Sequence, residues 1–440
     1  MKRVDILNFE WRANSRDTNI IEPVLCYIEQ KYGLNVVRES YNNYMLKLFN
    51  IRPRMILLSN YTGAPENFLL AKQAHKMGIL VVSLISEGNV TSEELAENFF
   101  WGWNIKKEKV VDLLLLWSNR TKDIFNRLIP ESRGTNIVVS GATGFDSYKF
   151  LQFMQKDEFL KKYGKNQKKV IGIAAWGFEL VNLDGKSLTG RYPYTVEESE
   201  YLLYTKKLIN ELYEKLISNN PDMLFILKYH PGNVECPEKT EFVGLSKFDN
   251  VVEIGRQEQI SDLINVSDIW ISFESTTTLE AWLLGTSTIV VNPLGKEFPR
   301  AQIYDGSVEL HSVNEVQQAL DEFYDTGIIE GFERKSDTRK SICEEIIQYD
   351  DGRNHVRASE AIIRCFEENN VKICKPAFTL FALKEIFVEM KYDFLSRIPQ
   401  IKNVGKIKKY NSKVNPLYNL ERRKETKRYT EAVVRYNGLN

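Results

Sequence analysis

Residues 268–293 read DIWISFESTTTLEAWLLGTSTIVVNP, and they hold two apolar runs separated by a hydroxyl-rich turn. The pattern predicts a buried strand over Asp268–Ser272, a helix that opens with Glu280, and a second strand over Thr288–Asn292. The residues of the turn are Ser275, Thr276, Thr277 and Thr278. Backbone N–H groups and hydroxyls at the start of a helix that follows a strand favour negatively charged ligands. The stretch therefore indicates an anion site in an α/β domain.

A second motif, LKYHPGN at residues 227–233, places His230 and Pro231 directly after a predicted strand over Leu224–Tyr229. The turn at Pro231 and Gly232 exposes the next backbone N–H groups. In a parallel sheet the carboxyl ends of both strands lie on one edge, so the two motifs can meet around one phosphate-bearing ligand. This pairing predicts an enzyme that acts on a nucleotide sugar.

The composition is that of a globular protein: 440 residues, 43% hydrophobic, with a formal net charge of +0. This length suits two domains and an additional segment. The five cysteines form no CxxC pair, which is typical of a reducing compartment and argues against structural zinc. The N-terminus turns polar too soon for a cleavable signal, and no apolar run approaches the roughly 20 residues of a membrane span. We therefore expect a cytoplasmic protein.

Short apolar runs alternate with helical stretches along the first third of the chain and again from Lys169 onward. Such alternation predicts open parallel sheets with helices on both faces. The predicted strands are Val4–Asn8, Asn35–Arg38, Met55–Ser59, Leu80–Ser86, Asp112–Ser118, Asn136–Ser140, Val170–Ala175, Leu224–Tyr229, Val251–Glu253, Asp268–Ser272 and Thr288–Asn292. The predicted helices include Ile20–Tyr32, Asn67–Met77, Thr195–Asn219 and Gln259–Val266.

The expected organisation is α/β, with two Rossmann-like domains, each with a parallel sheet, and a basic helical tail. Residues 1–148 form the first domain, and residues 149–168, polar and Lys-rich, form a linker. Residues 169–370 form the domain that binds the nucleotide sugar, and residues 371–440 form the tail.

The tail differs from the rest of the chain in charge: from Val371 onward it holds 16 Lys and Arg against 6 Asp and Glu. Apolar residues at roughly helical spacing precede two basic stretches, KNVGKIKKYNSK and ERRKETKR. Residues 376–440 therefore suit an anionic membrane surface at the inner face of the membrane. The alternative is a terminal helix that packs back across the domains, with a solvated basic end. No nucleic-acid recognition fold accompanies the basic residues.

KYHPG at residues 228–232, together with the stretch at 267–293, resembles the C-terminal half of two-domain GT-B glycosyltransferases. The chain is most similar to bacterial surface-carbohydrate and capsule enzymes that use CMP-3-deoxy-manno-octulosonate, with CDP-glycerol glycerophosphotransferases as looser relatives. SLISEGN at 83–89 and VVSGATGFDSY at 138–148 resemble two N-terminal motifs of the same group. Those enzymes usually carry Pro-Arg before the aromatic-Asp pair, where this chain has Thr143-Gly144. The resemblance covers about residues 50–345. It implies a GT-B fold in which the two parallel sheets face a central cleft, with the acceptor on the side of the first domain and the donor nucleotide on the second domain.

Several residues around the two motifs are candidate donor ligands. His230 and the hydroxyls and amides of residues 275–277 can donate to phosphate oxygens. The resemblance implies that Glu280 accepts from ribose hydroxyls, with Glu274 as a competitor for that role. Gly177, after the first strand of the second domain, allows a ligand to approach closely. The structural alternatives are a solvent-facing loop histidine, an ordinary hydroxyl N-cap and a first-turn glutamate.

The candidate catalytic residues are carboxylates of the first domain. Glu87 follows an apolar strand, where a general base is needed to take a proton from an acceptor hydroxyl. Asp146 is a candidate nucleophile if the reaction retains anomeric configuration, and the similar transferases place an Asp in this motif. The alternatives are caps of the helices near Ser92 and Ser147. Arg12, after the first strand, suits an anionic acceptor or donor sugar.

The leading hypothesis is a glycosyltransferase of bacterial surface polysaccharide biosynthesis, with a lean toward a CMP-activated acidic sugar as donor and a lipid-linked or growing glycan as acceptor. The chain has no GxGxxG after its first strand, no P-loop lysine motif, no HExxH and no DxD-type metal clamp. We therefore expect no cofactor and no metal. The alternatives are a UDP-sugar 2-epimerase, a CDP-glycerol glycerophosphotransferase and a non-catalytic subunit of glycan assembly.

Overall fold

The protein divides into two compact units, each with its own parallel sheet of six strands. Unit 1 comprises Met1–Leu151 and Glu344–Asn440, and unit 2 comprises Gln152–Cys343. The structure is a computed structural model that describes residues 3–13, 16–90, 93–128, 136–178, 181, 195–230, 237–295, 302–369, 379–413 and 418–439.

Unit 1 begins with alternating strands and helices. Its strands are β1 (Ile6–Glu10), β2 (Val36–Ser40), β3 (Met55–Leu58), β4 (Leu80–Leu84), β5 (Leu113–Leu116) and β6 (Asn136–Val139). Its helices up to this point are α1 (Arg16–Tyr32), α2 (Tyr44–Ile51), α3 (Pro65–Lys76), α4 (Glu93–Trp101), α5 (Asn119–Leu128) and α6 (Ser147–Phe150). The sheet order is β2-β1-β3-β4-β5-β6, and every pairing is parallel.

Unit 2 repeats the alternation. Its strands are β7 (Lys169–Ala174), β8 (Met223–Lys228), β9 (Val251–Ile254), β10 (Ile269–Ser272), β11 (Ser287–Val291) and β12 (Val308–Leu310). Its helices are α7 (Lys156–Tyr163), α8 (Val196–Asn219), α9 (Ile260–Val266), α10 (Thr277–Leu283), α11 (Val313–Thr326), α12 (Glu330–Glu333) and α13 (Ser336–Ile347), the last of which crosses the boundary at Glu344. The sheet order is β12-β11-β10-β7-β8-β9, again parallel throughout.

The C-terminal part of the chain returns to unit 1 as the helices α14 (Asn354–Glu368), α15 (Leu380–Ser396), α16 (Gly405–Lys413) and α17 (Tyr418–Asn437). Ile362 and Phe366 of α14 join the core on the face of the sheet that α1 also covers. Tyr429 and Val433 of α17 are buried against another side of α1. For α17, the structure therefore agrees with a helix that packs back on the protein.

The predicted α/β fold with parallel sheets is confirmed, and all eleven predicted strands are present with ends shifted by at most two residues. Central strands such as β3 and β5 are buried along their whole length. They had to be apolar on both sides because helices cover both faces of the sheet. β12 was missed because it is only 3 residues long and not buried.

The division of the chain differs from the predicted one in two places. The expected linker at residues 149–168 contains α7, whose Phe159 and Leu160 are buried in the core of unit 2. The expected second domain ended at residue 370, but residues 344–369 belong to unit 1. Their apolar side chains join the core cluster that also contains residues of β1, β3, β4 and β5, and pattern alone does not reveal which of two similar sheets a helix will cover.

Among the residues that the structure describes, no helix combines the length and the apolar character that a membrane crossing requires.

Candidate functional site

The strand order of unit 2 reverses between β10 and β7, with β11 and β12 on one side and β8 and β9 on the other. In open parallel sheets, ligands bind at the carboxyl ends of the strands where the order reverses. The hydroxyl turn follows β10 at this point, Gly177 follows β7, and His230 follows β8. The structure therefore brings the predicted donor-binding motifs to one edge of one sheet.

The spacing of the strands sets the size of ligand that can use both motifs. β7 lies between β10 and β8, so the carboxyl ends of those two strands are about 10 Å apart, at about 4.8 Å for each pairing. A ligand that contacts both the hydroxyl turn and His230 must therefore be larger than one phosphate group. A nucleoside diphosphate has the required length.

The hydroxyl turn is held by its own hydrogen bonds. Trp270 Nε1 donates to Thr277 Oγ1 at 2.9 Å, and the Thr277 N–H donates to Ser275 Oγ at 3.3 Å. The two hydroxyls are 2.8 Å apart, and either oxygen can be the donor. Whichever hydroxyl accepts in that contact keeps its own O–H for another partner. Thr276, between them, is exposed.

The remaining donor candidates lie beside this turn or on the neighbouring strand end. His230 is exposed just past β8, and Glu274 and Glu280 are half-buried on either side of the hydroxyl turn. Gly177 is buried. Pro231 and Gly232 lie outside the described residues.

The loop after β7 is anchored by a carboxylate and by aromatic packing. The backbone N–H of Trp176 donates to Glu241 Oε1 at 2.8 Å. The Trp176 ring contacts Phe178 and Phe273 edge to face, with ring centroids 4.7 and 5.8 Å apart. Trp176 thus ties the carboxyl ends of β7 and β10 together, and it is a packing residue of this edge.

Two cations that were not predicted from the sequence, Lys228 and Arg256, lie at the same edge. Lys228 Nζ donates to the carbonyl oxygens of Tyr229 at 2.9 Å and Gly255 at 2.6 Å, which joins the ends of β8 and β9. Burial, together with the nearby positive charge of Arg256, lowers the pKa of Lys228 to about 8. Arg256 is exposed just past β9. The available signal was the single lysine that ends an otherwise apolar strand, MLFILK.

In unit 1 the strand order reverses between β1 and β3, and the residues near this edge are mainly acidic. Glu87, past β4, forms an exposed ion pair with Arg16, whose Nη1 is 3.5 Å from Oε1 of Glu87. Asp17, beside Arg16, accepts a hydrogen bond from Ser59, which follows β3. Burial raises the pKa of Asp17, and the hydrogen bond from Ser59 offsets this increase only in part. The predicted base therefore has a second carboxylate, Asp17, in its neighbourhood, while Arg12 is exposed past β1.

Two further carboxylates, Glu10 of β1 and Glu22 of α1, are buried and bound by the C-terminal helix. Nη2 of Arg422, on α17, donates to Glu10 at 3.0 Å and also to Glu22. Glu22 has a second partner, Arg38, with Nε 2.9 Å from its Oε1. Burial raises the pKa of Glu10 to about 8. At Glu22 burial acts in the same direction, but the positive charges of Arg38 and Arg422 outweigh it and lower the pKa. The raised pKa of Glu10 favours its protonated form at neutral pH.

Asp146 lies in the interior of unit 1, with 1% of its surface exposed. Its Oδ1 accepts from Asn354 Nδ2 at 2.8 Å, and its Oδ2 accepts from the backbone N–H of His355 at 2.6 Å and from Nδ1 of that residue at 2.7 Å. Asn354 and His355 begin α14, so Asp146 caps that helix from a distant part of the chain. Asn437 donates to His355 Nε2 at 2.9 Å, which leaves the proton of the ring on Nδ1.

This environment does not agree with the nucleophilic role expected for Asp146. A nucleophile must reach the anomeric carbon of a substrate, but both oxygens of this carboxylate are held in the interior by α14. The alternative of a cap for the helix at Ser147 also differs, because α6 has no side-chain hydrogen bond from Asp146.

No protein-family model and no curated protein sequence matches the chain. Solved structures match its fold. A UDP-N-acetylglucosamine 2-epimerase is 14% identical with a TM-score of 0.54, and the match covers 86% of this chain and 100% of that one. MnaA of S. aureus, solved with UDP, is 15% identical with a TM-score of 0.55 and the same coverage. The wall teichoic acid polymerase TagF is 14% identical with a TM-score of 0.53, over 83% of this chain and 89% of that one.

These matches establish the fold, and the GT-B architecture predicted from sequence is confirmed. At 14 to 15% identity they establish nothing about the chemistry of the chain.

Proposed function

We propose that the protein is a glycosyltransferase of bacterial surface polysaccharide biosynthesis, which moves a sugar from a nucleotide donor to a lipid-linked or growing glycan without a metal ion. The observation that carries this proposal is the convergence of the hydroxyl turn, Gly177 and His230 at the carboxyl edge of the unit 2 sheet, where its strand order reverses. The similarity in fold to TagF, a wall teichoic acid polymerase, supports an enzyme of surface-glycan assembly.

The donor phosphates are proposed to bind along the 10 Å or so between the ends of β10 and β8. The Ser275–Thr277 pair has one O–H for a phosphate oxygen at one end, and His230 lies at the other. Lys228 and Arg256 add positive charge beside His230. Glu274 and Glu280 are the proposed partners of the ribose hydroxyls. These groups can meet the phosphate charge by hydrogen bonds and cations of the protein alone.

The transfer step requires a base for the acceptor. We assign it to Glu87, with Asp17 as the second carboxylate of the same edge of unit 1. The acceptor oxygen forms a bond to the anomeric carbon and its proton passes to the carboxylate. The bond between that carbon and the phosphate oxygen breaks, and the nucleotide leaves with the electron pair. Arg12 and Arg16 are proposed to orient an anionic acceptor, and Asp146 acts only by holding α14.

Two other activities are favoured by particular matches. A UDP-sugar 2-epimerase is favoured by the UDP-N-acetylglucosamine 2-epimerase structure and by MnaA, which was solved with UDP; both match over their whole length. A CDP-glycerol glycerophosphotransferase is favoured by TagF, which was also solved after a soak with CDPG, in a structure that matches this chain with a TM-score of 0.52.

The first test is thermal stabilisation of the purified full chain by CMP, CDP, UDP and GDP, since a ligand of the native state raises the melting temperature. We expect one nucleotide to raise it. His230→Ala should increase the dissociation constant of that nucleotide about tenfold, because one charge-assisted hydrogen bond is lost. His75→Ala, an exposed histidine of unit 1, is the matched control and should change nothing.

The sugar donor then distinguishes the activities. Sugar transfer requires an acceptor. If the nucleotide sugar is converted to its epimer in the absence of any acceptor, the protein is an epimerase and not a transferase. If none of the four nucleotides raises the melting temperature, the proposal fails and a non-catalytic assembly subunit becomes the better account.

A further inference from the structure

Helix α15 exposes a continuous apolar stripe to solvent. Leu380, Phe387 and Phe394 are 87%, 72% and 67% exposed, and Leu383 and Met390 lie between them on the same side of the helix. The spacing of three and four residues places all five on one face. Single exposed apolar residues are ordinary, but a continuous stripe of large ones marks a surface that binds something.

The opposite face of α15 fixes the direction of this stripe. Ala382 and Glu389 are buried there. The carboxylate of Glu389 accepts hydrogen bonds from the backbone N–H groups of Met45 and Leu46, at 3.1 and 3.0 Å, in the first turn of α2. A carboxylate at a helix N-terminus is stabilised by the helix dipole. The stripe therefore points away from unit 1 because its opposite face is docked.

Helix α16 lies beside α15 and adds positive charge. Tyr392 and Tyr410 stack with their ring centroids 5.6 Å apart, and Tyr410 donates to Asn43 at 2.8 Å. Lys406 and Lys408 of α16 are exposed. On α15, Lys384 and Lys391 are exposed one turn beyond Leu380 and Phe387, so they border the stripe directly.

The charge around the stripe is unbalanced. Residues 379–408 hold six Lys and Arg against three Asp and Glu, and residues 394–420 hold no acidic residue. Of the three acids, Glu389 is buried and Asp393 is paired with Arg397 at 2.7 Å. The exposed apolar stripe is thus bordered by cations, which is the pattern of helices that lie in the interface of an anionic lipid layer.

We propose that the α15–α16 face, formed by the stripe of α15 and the bordering lysines of α15 and α16, binds an anionic lipid surface. The charge argues against a second copy as the occupant, because a two-fold interface would place the same lysines opposite each other. The contact belongs to these two helices and not to α17, whose Tyr429, Val433 and Arg422 are buried in unit 1. The proposal is independent of the nucleotide site.

The test is co-sedimentation of the full chain with vesicles of phosphatidylcholine alone and of phosphatidylcholine and phosphatidylglycerol in equal parts. We expect binding only to the anionic vesicles. Phe387→Ser with Phe394→Ser should weaken it at least tenfold, since both substitutions remove a large apolar side chain from the contact with lipid. Lys406→Ala with Lys408→Ala should weaken it about fivefold for each lysine and reduce its dependence on salt.

Matched controls exist elsewhere on the chain. Ile105→Ser removes an apolar side chain that is 81% exposed in unit 1, and Lys207→Ala with Lys215→Ala removes two exposed lysines of α8. Both should bind vesicles like the parent. Unchanged melting temperatures and unchanged nucleotide binding in every variant would show that the fold and the other site are intact.

Three results would overturn the proposal. The full chain could fail to bind anionic vesicles, it could bind neutral vesicles equally well, or it could form a dimer that the two phenylalanine substitutions dissociate in sedimentation velocity. The last result would make the face an interface between copies of this chain.

Discussion

The carboxyl edges of the two sheets carry opposite chemistry. In unit 1, Glu10, Asp17, Glu22 and Glu87 gather around the ends of β1, β3 and β4, and the guanidinium of Arg422 binds two of them from the C-terminal helix. In unit 2, the edge carries the hydroxyl turn, His230, Lys228 and Arg256.

The two sheets are alike, but the residues at their carboxyl edges differ. The sheet therefore determines where a site lies, while the loops determine its charge. Glu87, the exposed carboxylate of the first edge, is paired with Arg16, whereas the hydroxyls and cations of the second edge can attract a nucleotide's phosphates. This contrast supports the assignment of the donor to unit 2 and of proton transfer to unit 1.

Arg422→Met should have the largest effect, because it leaves the buried carboxylate of Glu22 with one cation, Arg38, in place of two and removes the guanidinium that donates to Glu10. Breaking a buried ion pair from one side costs about 3–5 kcal/mol, so we expect about 4 kcal/mol less free energy of unfolding in urea denaturation. Arg423→Met, an exposed neighbour on the same helix, should change it by less than about 0.5 kcal/mol. Equal losses in the two variants would mean that Arg422 does not close the edge of unit 1.

Glu10→Gln should change how stability depends on pH. The pKa of Glu10 is about 8 in the folded state, against an ordinary value of 4.5, so the folded protein retains a proton that the unfolded chain loses between these values. The parent should therefore lose stability as pH rises through this range, by on the order of 3 kcal/mol. The variant should lose markedly less, although Glu389, whose pKa burial raises to about 7, adds a slope of the same sign.

The measurement is urea denaturation at several pH values between 5 and 8, with Glu431→Gln, an exposed residue of α17, as control. A parent whose stability increases over this range would contradict the protonated state of Glu10.

Asp146→Asn should distinguish a structural carboxylate from a nucleophile. An amide cannot accept on both sides, so one donor of α14 loses its partner, and we expect a loss of about 2 kcal/mol in the free energy of unfolding. Turnover by the folded fraction should stay within about tenfold of the parent. A folded variant whose turnover falls by several orders of magnitude would restore the nucleophilic role.

Ser275→Ala should have the smallest effect, because it removes one hydroxyl from the edge of unit 2. We expect nucleotide affinity to fall by about 1 kcal/mol, or roughly fivefold, measured by calorimetry. Ser218→Ala removes a hydroxyl that donates to the carbonyl oxygen of Lys215 in its own helix, and it should leave the affinity unchanged. No loss in Ser275→Ala would remove the hydroxyl turn from the donor site.

The strands and the position of the turns that follow them were predictable because their signal is local. A buried parallel strand is a continuous apolar run, and the turn that follows it contains polar residues that can be read directly, as at Ser275 and His230. Asp17 and Lys228 were missed because their raised or lowered pKa values come from burial by neighbours that are distant in sequence.

A motif in the sequence did not reveal which groups surround Asp146 in the folded protein. Its place after a strand and beside an aromatic residue suited catalysis, but its partners, Asn354 and His355, come from a helix about two hundred residues later in the chain. Which carboxylate is exposed and which is buried depends on how that helix packs.

The sequence by itself determined the α/β class, the order of strands and helices, and the edge of unit 2 where a nucleotide is proposed to bind, because these depend on local periodicity and on turns. The tertiary contacts established that residues 344–369 and α17 complete unit 1, that burial raises the pKa of Glu10, and that the stripe of α15 points to solvent. These outcomes depend on contacts between distant segments, whose energies no local pattern encodes.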